Sequence, residues 1–149
     1  MSPNLGMTKS DGFPISRATQ DYLKAIYALQ NERGSASTND LCARLRHIKP
    51  GSVTGMCKRL AELGLVDYTP YNGVRLTQQG EQHARKVIRA HRLLELYLVQ
   101  VMGFSADKVH PEAEAMEHAI SDEFMTRIET ILGNPSVGVH GEPIPQLVI

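Results

Sequence analysis

The stretch "GSVTGMCKRLAELGLVDYTPYNGVRLTQQG", Gly51 to Gly80, decides the fold. Its first half carries Val53, Met56, Cys57 and Leu60 at helical spacing, follows Pro50 at a first helical position, and stops at Gly64. Its second half, "LVDYTPYNGVRLT", has two short runs rich in Val, Tyr and Thr around the turn signal Tyr71–Asn72–Gly73, which predicts a small hairpin. Thr77 then stands where a hydroxyl caps a further helix. Helix, hairpin and capped helix in that order form the recurrent end of a winged helix. Many unrelated regulators share it, so it speaks for fold class more than for a ligand.

Two helices precede this stretch. "SRATQDYLKAIYALQNERG" repeats apolar residues at Tyr22, Leu23, Ile26, Tyr27 and Leu29, with Ser16 as N-cap and Gly34 as stop. "STNDLCARLRHI" is a second, shorter helix capped by Ser37 or Thr38. Helix, helix, helix and hairpin make a winged helix-turn-helix. Formal net charge is zero, so a DNA-binding surface must come from local segregation of charge. Between Leu41 and Leu60 the charged residues are Arg44, Arg46, Lys49, Lys58 and Arg59, with no Asp or Glu. Such a face can neutralise phosphates. Pro50, Gly51, Ser52 and Thr54 open the third helix, where a recognition helix places its contacts.

Downstream, "TQQGEQHARKVIRAHRLLELYLVQVMG" is a long helix whose second half is apolar around much of its circumference. A surface helix needs one apolar stripe, so a dimer interface would account for the excess. "SADKVHPEAEAMEHAISDEFMTRIETILGN" reads as one further helix, with Pro111 near its start and Gly133 at its end. The tail "PSVGVHGEPIPQLVI" is turn-rich, and Pro143 and Pro145 exclude a helix there. The fold class is mainly α: a winged helix-turn-helix over 16–80, then a helical metal-binding and dimerisation domain over 81–149. Residues 1–15, polar with Pro and Gly, read as a disordered arm.

Carboxylates and histidines gather in the second domain. Glu114, Glu117 and His118 stand at i, i+3 and i+4, which places them on one helix face. His91 and Glu95 are i and i+4 on the preceding helix, and His110 begins the next. Together they point to a divalent cation, which would relieve the repulsion among the carboxylates. Glu112, Asp122 and Glu123 read as surface charge. An enzyme is not expected: there is no Glu-x-x-His of a di-iron bundle, no HExxH, no Gly-rich phosphate loop and no nucleophile elbow. Cys42 and Cys57 lack CxxC spacing and read as reduced thiols of a cytoplasmic protein. No apolar run approaches the ~18 residues of a membrane span.

On "ATQDYLKAIYAL", "GSVTGMCKRLAELGLVDY", "AHRLLE", "EAMEHAIS" and "HGEPIP", the sequence resembles the DtxR/MntR family of metal-dependent bacterial transcriptional repressors, over about Ser16 to Pro145. The resemblance implies a homodimer that binds palindromic operator DNA when metal is loaded, with no membrane and no small organic substrate as partner. It implies that Asp21, Glu114, Glu117 and His118 are ligands of a principal site. His91, Glu95 and His110 would form an ancillary site beside an anion-holding Arg92. Metal would then join Asp21 of the DNA-binding half to ligands of the helical half. Lys24 stands where the manganese-sensing branch has a Glu ligand, and a protonated Lys cannot coordinate. An SH3-like third domain, found in many iron-sensing members, is not expected. Hard donors at Asp21 and Glu114 favour Mn²⁺, with Fe²⁺ the alternative, while Zn²⁺ or Co²⁺ would bind in vitro. A metal-independent winged-helix regulator is the remaining reading.

Overall fold

The computed structural model describes residues 15–46 and 48–147. The expected N-terminal arm lies outside them except for Ile15, which packs against the first core. The chain divides inside one helix, between Ala84 and Arg85, into two compact units.

The first unit opens with α1 (Arg17–Arg33), capped by the Ser16 hydroxyl, which accepts from the Thr19 N–H, and closed by Gly34 at φ 88°. Then come α2 (Thr38–Leu45) and α3 (Pro50–Glu62). Of the two candidate caps on α2, Ser37 is used. Its hydroxyl accepts from the Asp40 N–H at 2.9 Å, and the Asp40 carboxylate accepts from the Ser37 N–H at 3.3 Å. The Ser37 hydroxyl, then the Ser37 N–H and Arg33, hold the Asp40 carboxyl below its ordinary range. Pro50 occupies the first turn of α3, where a missing N–H costs nothing.

The hairpin is β1 (Val66–Thr69) against β2 (Gly73–Leu76), antiparallel, with Val66 opposite Leu76 and Thr69 opposite Gly73. Ala36 adds a bridge to Val74 on its other side. Gly73 is required there: its φ is +85°, and a Cβ would stand 2.8 Å from the Ala36 carbonyl oxygen. Thr77 caps α4 (Gln78–Gln100) by accepting from the Gly80 N–H at 3.1 Å while its hydroxyl donates to the Gly64 carbonyl at 2.7 Å. Leu23, Ile26, Leu41, Val53, Cys57, Leu60, Leu65 and Val74 are fully buried and form one core. The winged helix-turn-helix is therefore complete within this unit.

Cys57 sits in that core. Burial, and then its neighbour Cys42, push its thiol up to about 11. At pH 8 the thiolate fraction is about one in a thousand. A thiol reagent should therefore label half-buried Cys42 on the native chain and Cys57 only at the rate of unfolding. Peptide mass spectrometry against time checks this, and simultaneous labelling of both would mean an open core.

The second unit holds the rest of α4, then α5 (His110–Met116), α6 (Asp122–Ile131) and the tail. The single helix expected across Ser105–Asn134 is in fact two. Ser121 breaks it: its backbone is extended and its hydroxyl accepts from the Phe124 N–H at 3.1 Å, with Asp122 and Glu123 in the first turn that follows. A capping serine and two acids at a helix start outweigh continuation through "EHAIS". The apolar circumference of α4 is explained inside this unit. Leu93, Leu94, Leu96 and Leu98 pack with Val109, Ala113, Ile128 and Ile144. The same chain buries these leucines, while Val101 and Met102 just past the end of α4, with Phe124, Ile131, Val137 and Leu147 in this unit, stay exposed. No described helix is long and apolar enough to cross a membrane.

Candidate metal centre

On α4, His91 and Glu95 are one helical turn apart among the leucines of the second core, and both are buried. The chain reverses after Gly103, at φ 78°, where the Phe104 N–H bonds the Leu98 carbonyl at 3.0 Å. Buried Val109 anchors the start of α5, and Pro111 sets its first turn. His110, the first residue of α5, is thereby laid against His91, with ring centroids 4.5 Å apart at 60°.

Three donor atoms meet there. His91 Nε2 lies 3.0 Å from His110 Nδ1 and 3.1 Å from Glu95 Oε2, and His110 Nδ1 lies 3.2 Å from Glu95 Oε2. The outer nitrogens assign the protons. His91 Nδ1 stands 2.8 Å from Glu117 Oε1, and His110 Nε2 stands 2.9 Å from Glu114 Oε2. An ionised carboxylate only accepts, so in the tautomer that suits a metal each outer nitrogen donates to its own carboxylate. In neutral rings the inner nitrogens are then lone pairs, facing each other and an anionic oxygen. A polar cluster of three acceptors repels itself, and a cation turns that repulsion into attraction. An octahedral face with such edges corresponds to bonds of about 2.2 Å, within reach of N and O ligands to first-row divalent ions. The residues present therefore fit a metal. Carboxylates on the far nitrogens are also the usual outer partners of ligating histidines.

Among the described residues this triangle is where three such donors come together. It unites the sequence-expected His91, Glu95 and His110. Glu114, Glu117 and His118 do not form a second triangle. Glu114 is exposed and turned to His110, whereas Glu117, at the end of α5, is buried and turned to His91. His118 falls in the turn after α5, with Nε2 3.8 Å from Glu117 Oε2. Glu117 and His118 thus stay side by side at the end of α5, while Glu114 is turned to His110. Asp21 and Lys24 are half-buried on α1 of the first unit.

The sequence reading missed His140. Its Nε2 donates to the Ala106 carbonyl at 3.0 Å, leaving Nδ1 as a lone pair 3.6 Å from Glu95 Oε1. No periodicity marks it, because it lies in an irregular turn, Gly138–Gly141, closed by the Gly141 N–H on the Gly138 carbonyl at 3.0 Å. Arg92, expected to hold an anion, has an internal one: Nη2 bonds Glu142 Oε2 at 3.1 Å, and Nη1 donates to the Pro143 carbonyl. Two more arginines on α4 grip the same tail. Arg89 donates to the Pro145 carbonyl at 3.1 Å and Arg85 to that of Gln146 at 3.3 Å. Arg89 is also paired with Glu129, and burial lowers its pKa from the ordinary arginine value.

In the first unit, Lys49, Pro50, Gly51, Ser52, Lys58 and Arg59 are exposed, and Thr54 is half-buried. Arg46 is exposed with φ 52°, at the C-cap of α2. Arg44 is exposed and bonds Glu32 at 3.1 Å. The cationic residues of α3 thus point outward while Val53, Cys57 and Leu60 point into the core.

Known proteins agree with both halves. Residues 15–74 match the family model described as iron dependent repressor, N-terminal DNA binding domain, and residues 77–146 match its metal binding and dimerisation domain. An HTH-type transcriptional regulator of Methanocaldococcus jannaschii is 36% identical over 118 residues, 79% of this chain and 94% of that protein. The iron-dependent repressor IdeR of Mycobacterium tuberculosis is 35% identical over 87% of this chain, which spans 56% of IdeR. A solved manganese-dependent transcriptional repressor in complex with manganese is 42% identical, with TM-score 0.77 over 85% of this chain and 58% of that one. With a complete winged helix-turn-helix, a histidine–carboxylate triangle and both domain matches in hand, the chain belongs to the iron-dependent repressor family, the DtxR/MntR group of metal-dependent transcriptional repressors.

Proposed function

We propose that this chain is a manganese-responsive repressor, a homodimer that binds a palindromic operator when metal is loaded. The observation that carries the metal reading is the triangle of His91, Glu95 and His110, whose candidate ligand atoms all lie within 4.8 Å of one another. All its donors are nitrogen or oxygen, which suits Mn²⁺ and Fe²⁺ better than sulfur-preferring ions. The 42%-identical repressor solved with manganese tips the balance toward Mn²⁺. His140 is a fourth donor within reach. Glu114, Glu117 and His118, by their helical spacing, and Asp21, by resemblance, are proposed as ligands of the principal site. Exposed Val101, Met102, Phe124 and Ile131 support a dimer surface. Iron(II) is the second reading, favoured by the likeness to IdeR.

Bound metal acts as co-repressor only through tighter binding to the DNA-competent state. Saturating Mn²⁺ should raise operator affinity by roughly 5- to 150-fold, the usual range of such coupling. Fluorescence anisotropy on labelled operator, with Mn²⁺, Fe²⁺ and Zn²⁺ arms and a chelator control, reads it. Binding unchanged by the chelator would point to a metal-independent regulator. A response to Fe²⁺ at tenfold lower free metal than Mn²⁺ would assign iron.

A further inference from the structure

Gly55 has no structural reason to be glycine. It lies in the interior of α3, is exposed, and a Cβ built on it meets nothing within 4 Å. Its backbone is ordinary helix, not left-handed. Gly51, one turn earlier, is the same. Every other described glycine either has a left-handed φ or has neighbouring atoms within 4 Å of where its Cβ would stand. Gly80 is the extreme case, with the Leu65 carbonyl oxygen 1.9 Å from the Cβ position. Glycine in a helix interior weakens the helix relative to alanine. At Gly55 nothing inside the molecule offsets that loss.

The face that Gly55 centres supplies the reason. The exposed residues of α3 from Gly51 onward include Gly51, Ser52, Gly55, Lys58 and Arg59, while Val53, Cys57 and Leu60 point inward. The two cations lie one turn beyond Gly55, and Ser52 and Gly51 one turn before it. The middle of the outward face is therefore bare main chain, with Lys58 and Arg59 one turn beyond it and exposed Glu62 at the helix end. α3 is the second helix of the helix-turn-helix, the one that enters a major groove. Lysine and arginine reach phosphates from a distance, but a bare Cα lets the helix itself come closer to the base edges than any side chain at that position would.

We propose that Gly55 is a specificity-determining residue for DNA: the groove floor packs directly on the α3 main chain at Gly55, between Ser52 and Arg59. The matching chemistry in the duplex is an apolar base edge, the thymine methyl group, which takes contact without a hydrogen bond. Lys58 and Arg59 supply sequence-independent phosphate attraction, and Gly55 sets how deep the helix sits. The inference rests on the DNA-binding reading of this unit and deepens it.

The test is selection from a randomised duplex pool by the full chain in Mn²⁺, run in parallel with Gly55→Ala. Added methyl groups should act in opposite directions on fold and binding. The Gly55→Ala chain should melt about 2–4 °C higher, as a stabilised helix interior requires. It should bind the parent's selected consensus at least tenfold more weakly, yet bind a random-sequence duplex at low salt as the parent does. Replacing by uracil the thymine that lies opposite Gly55 removes its methyl, and should weaken the parent but not the variant. A parent that enriches no sequence overturns the DNA-binding reading and this inference with it. A Gly55→Ala chain that holds the parent's consensus equally tightly overturns this inference alone. A variant that melts lower overturns the claim that nothing in the fold requires the glycine.

Discussion

Glu95→Gln should bind Mn²⁺ at least about 100-fold more weakly than the parent, near 3 kcal/mol, and the metal-free variant should be more stable than the metal-free parent. Both signs follow from the same proton assignment. Glu95 is the one anionic member of the triangle and is buried. With metal bound, its charge and lone pair are ligand contributions that a neutral amide cannot match. Its Oε2 lies 3.1 and 3.2 Å from two ring nitrogens, which are bare lone pairs in the tautomer whose outer nitrogens donate to Glu117 and Glu114. A glutamine of the same shape can turn its N–H groups toward those lone pairs, a gain of about 1–2 kcal/mol. Competition against a fluorescent chelator gives the affinity, and thermal melts in EDTA give the stability. A metal-free variant that melts lower than the parent would mean that the rings carry protons toward Glu95, and the triangle would then be an ion-pair cluster.

Toward the His91–Glu95–His110 triangle, Glu117 would act one step further out. Its buried carboxylate lies 2.8 Å from His91 Nδ1, and by accepting that proton it would leave Nε2 as the nitrogen that faces a metal. Outer partners of this kind are typically worth about 10–100-fold in metal affinity. Glu117→Gln keeps an acceptor for His91 and loses only the charge, so it should sit near the lower end, about tenfold. Glu117→Ala removes the acceptor and frees the ring to turn, so it should approach about 100-fold. Isothermal titration with Mn²⁺ on both, alongside circular dichroism, separates orientation from charge. Parent-like affinity in both variants would remove Glu117 from any role at this centre, as ligand or as outer partner.

The parts legible in the sequence were those set by local geometry. Ser16, Gly34, Pro50 and Thr77 mark helix ends in the structure because capping is decided within four residues. His91 and Glu95 were readable as a pair because a helix brings i and i+4 together wherever it lies. His110 could be named, but not its approach to His91, which depends on the reversal after Gly103 and the anchoring of Val109. His140 is farther still: forty-five residues beyond Glu95, in a turn with no period to detect. The long helix expected past Met116 failed for a local reason that was present in the letters, since Ser-Asp-Glu at Ser121–Glu123 is a capping signal inside an otherwise continuous pattern. The leucine-rich circumference of α4 was legible only as a covered face. Apolar periodicity reports that a face is covered, not by what, and here α5, α6 and Ile144 of the same chain cover it. Arg92 shows the same limit for charge, because its partner Glu142 is fifty residues away.

The grip of Arg85, Arg89 and Arg92 on the carbonyls of Gln146, Pro145 and Pro143 turns the tail into a tether. His140 lies two residues from Glu142, which Arg92 holds. Its imidazole therefore meets Glu95 not as a diffusing group but at an effective concentration set by a two-residue leash, in the millimolar range or above. Most of the chain entropy that a fourth donor would lose on binding an ion has already been lost in folding the strap. The arginines of α4 touch no metal, yet they decide how dilute or concentrated a fourth donor is at the place where one is wanted.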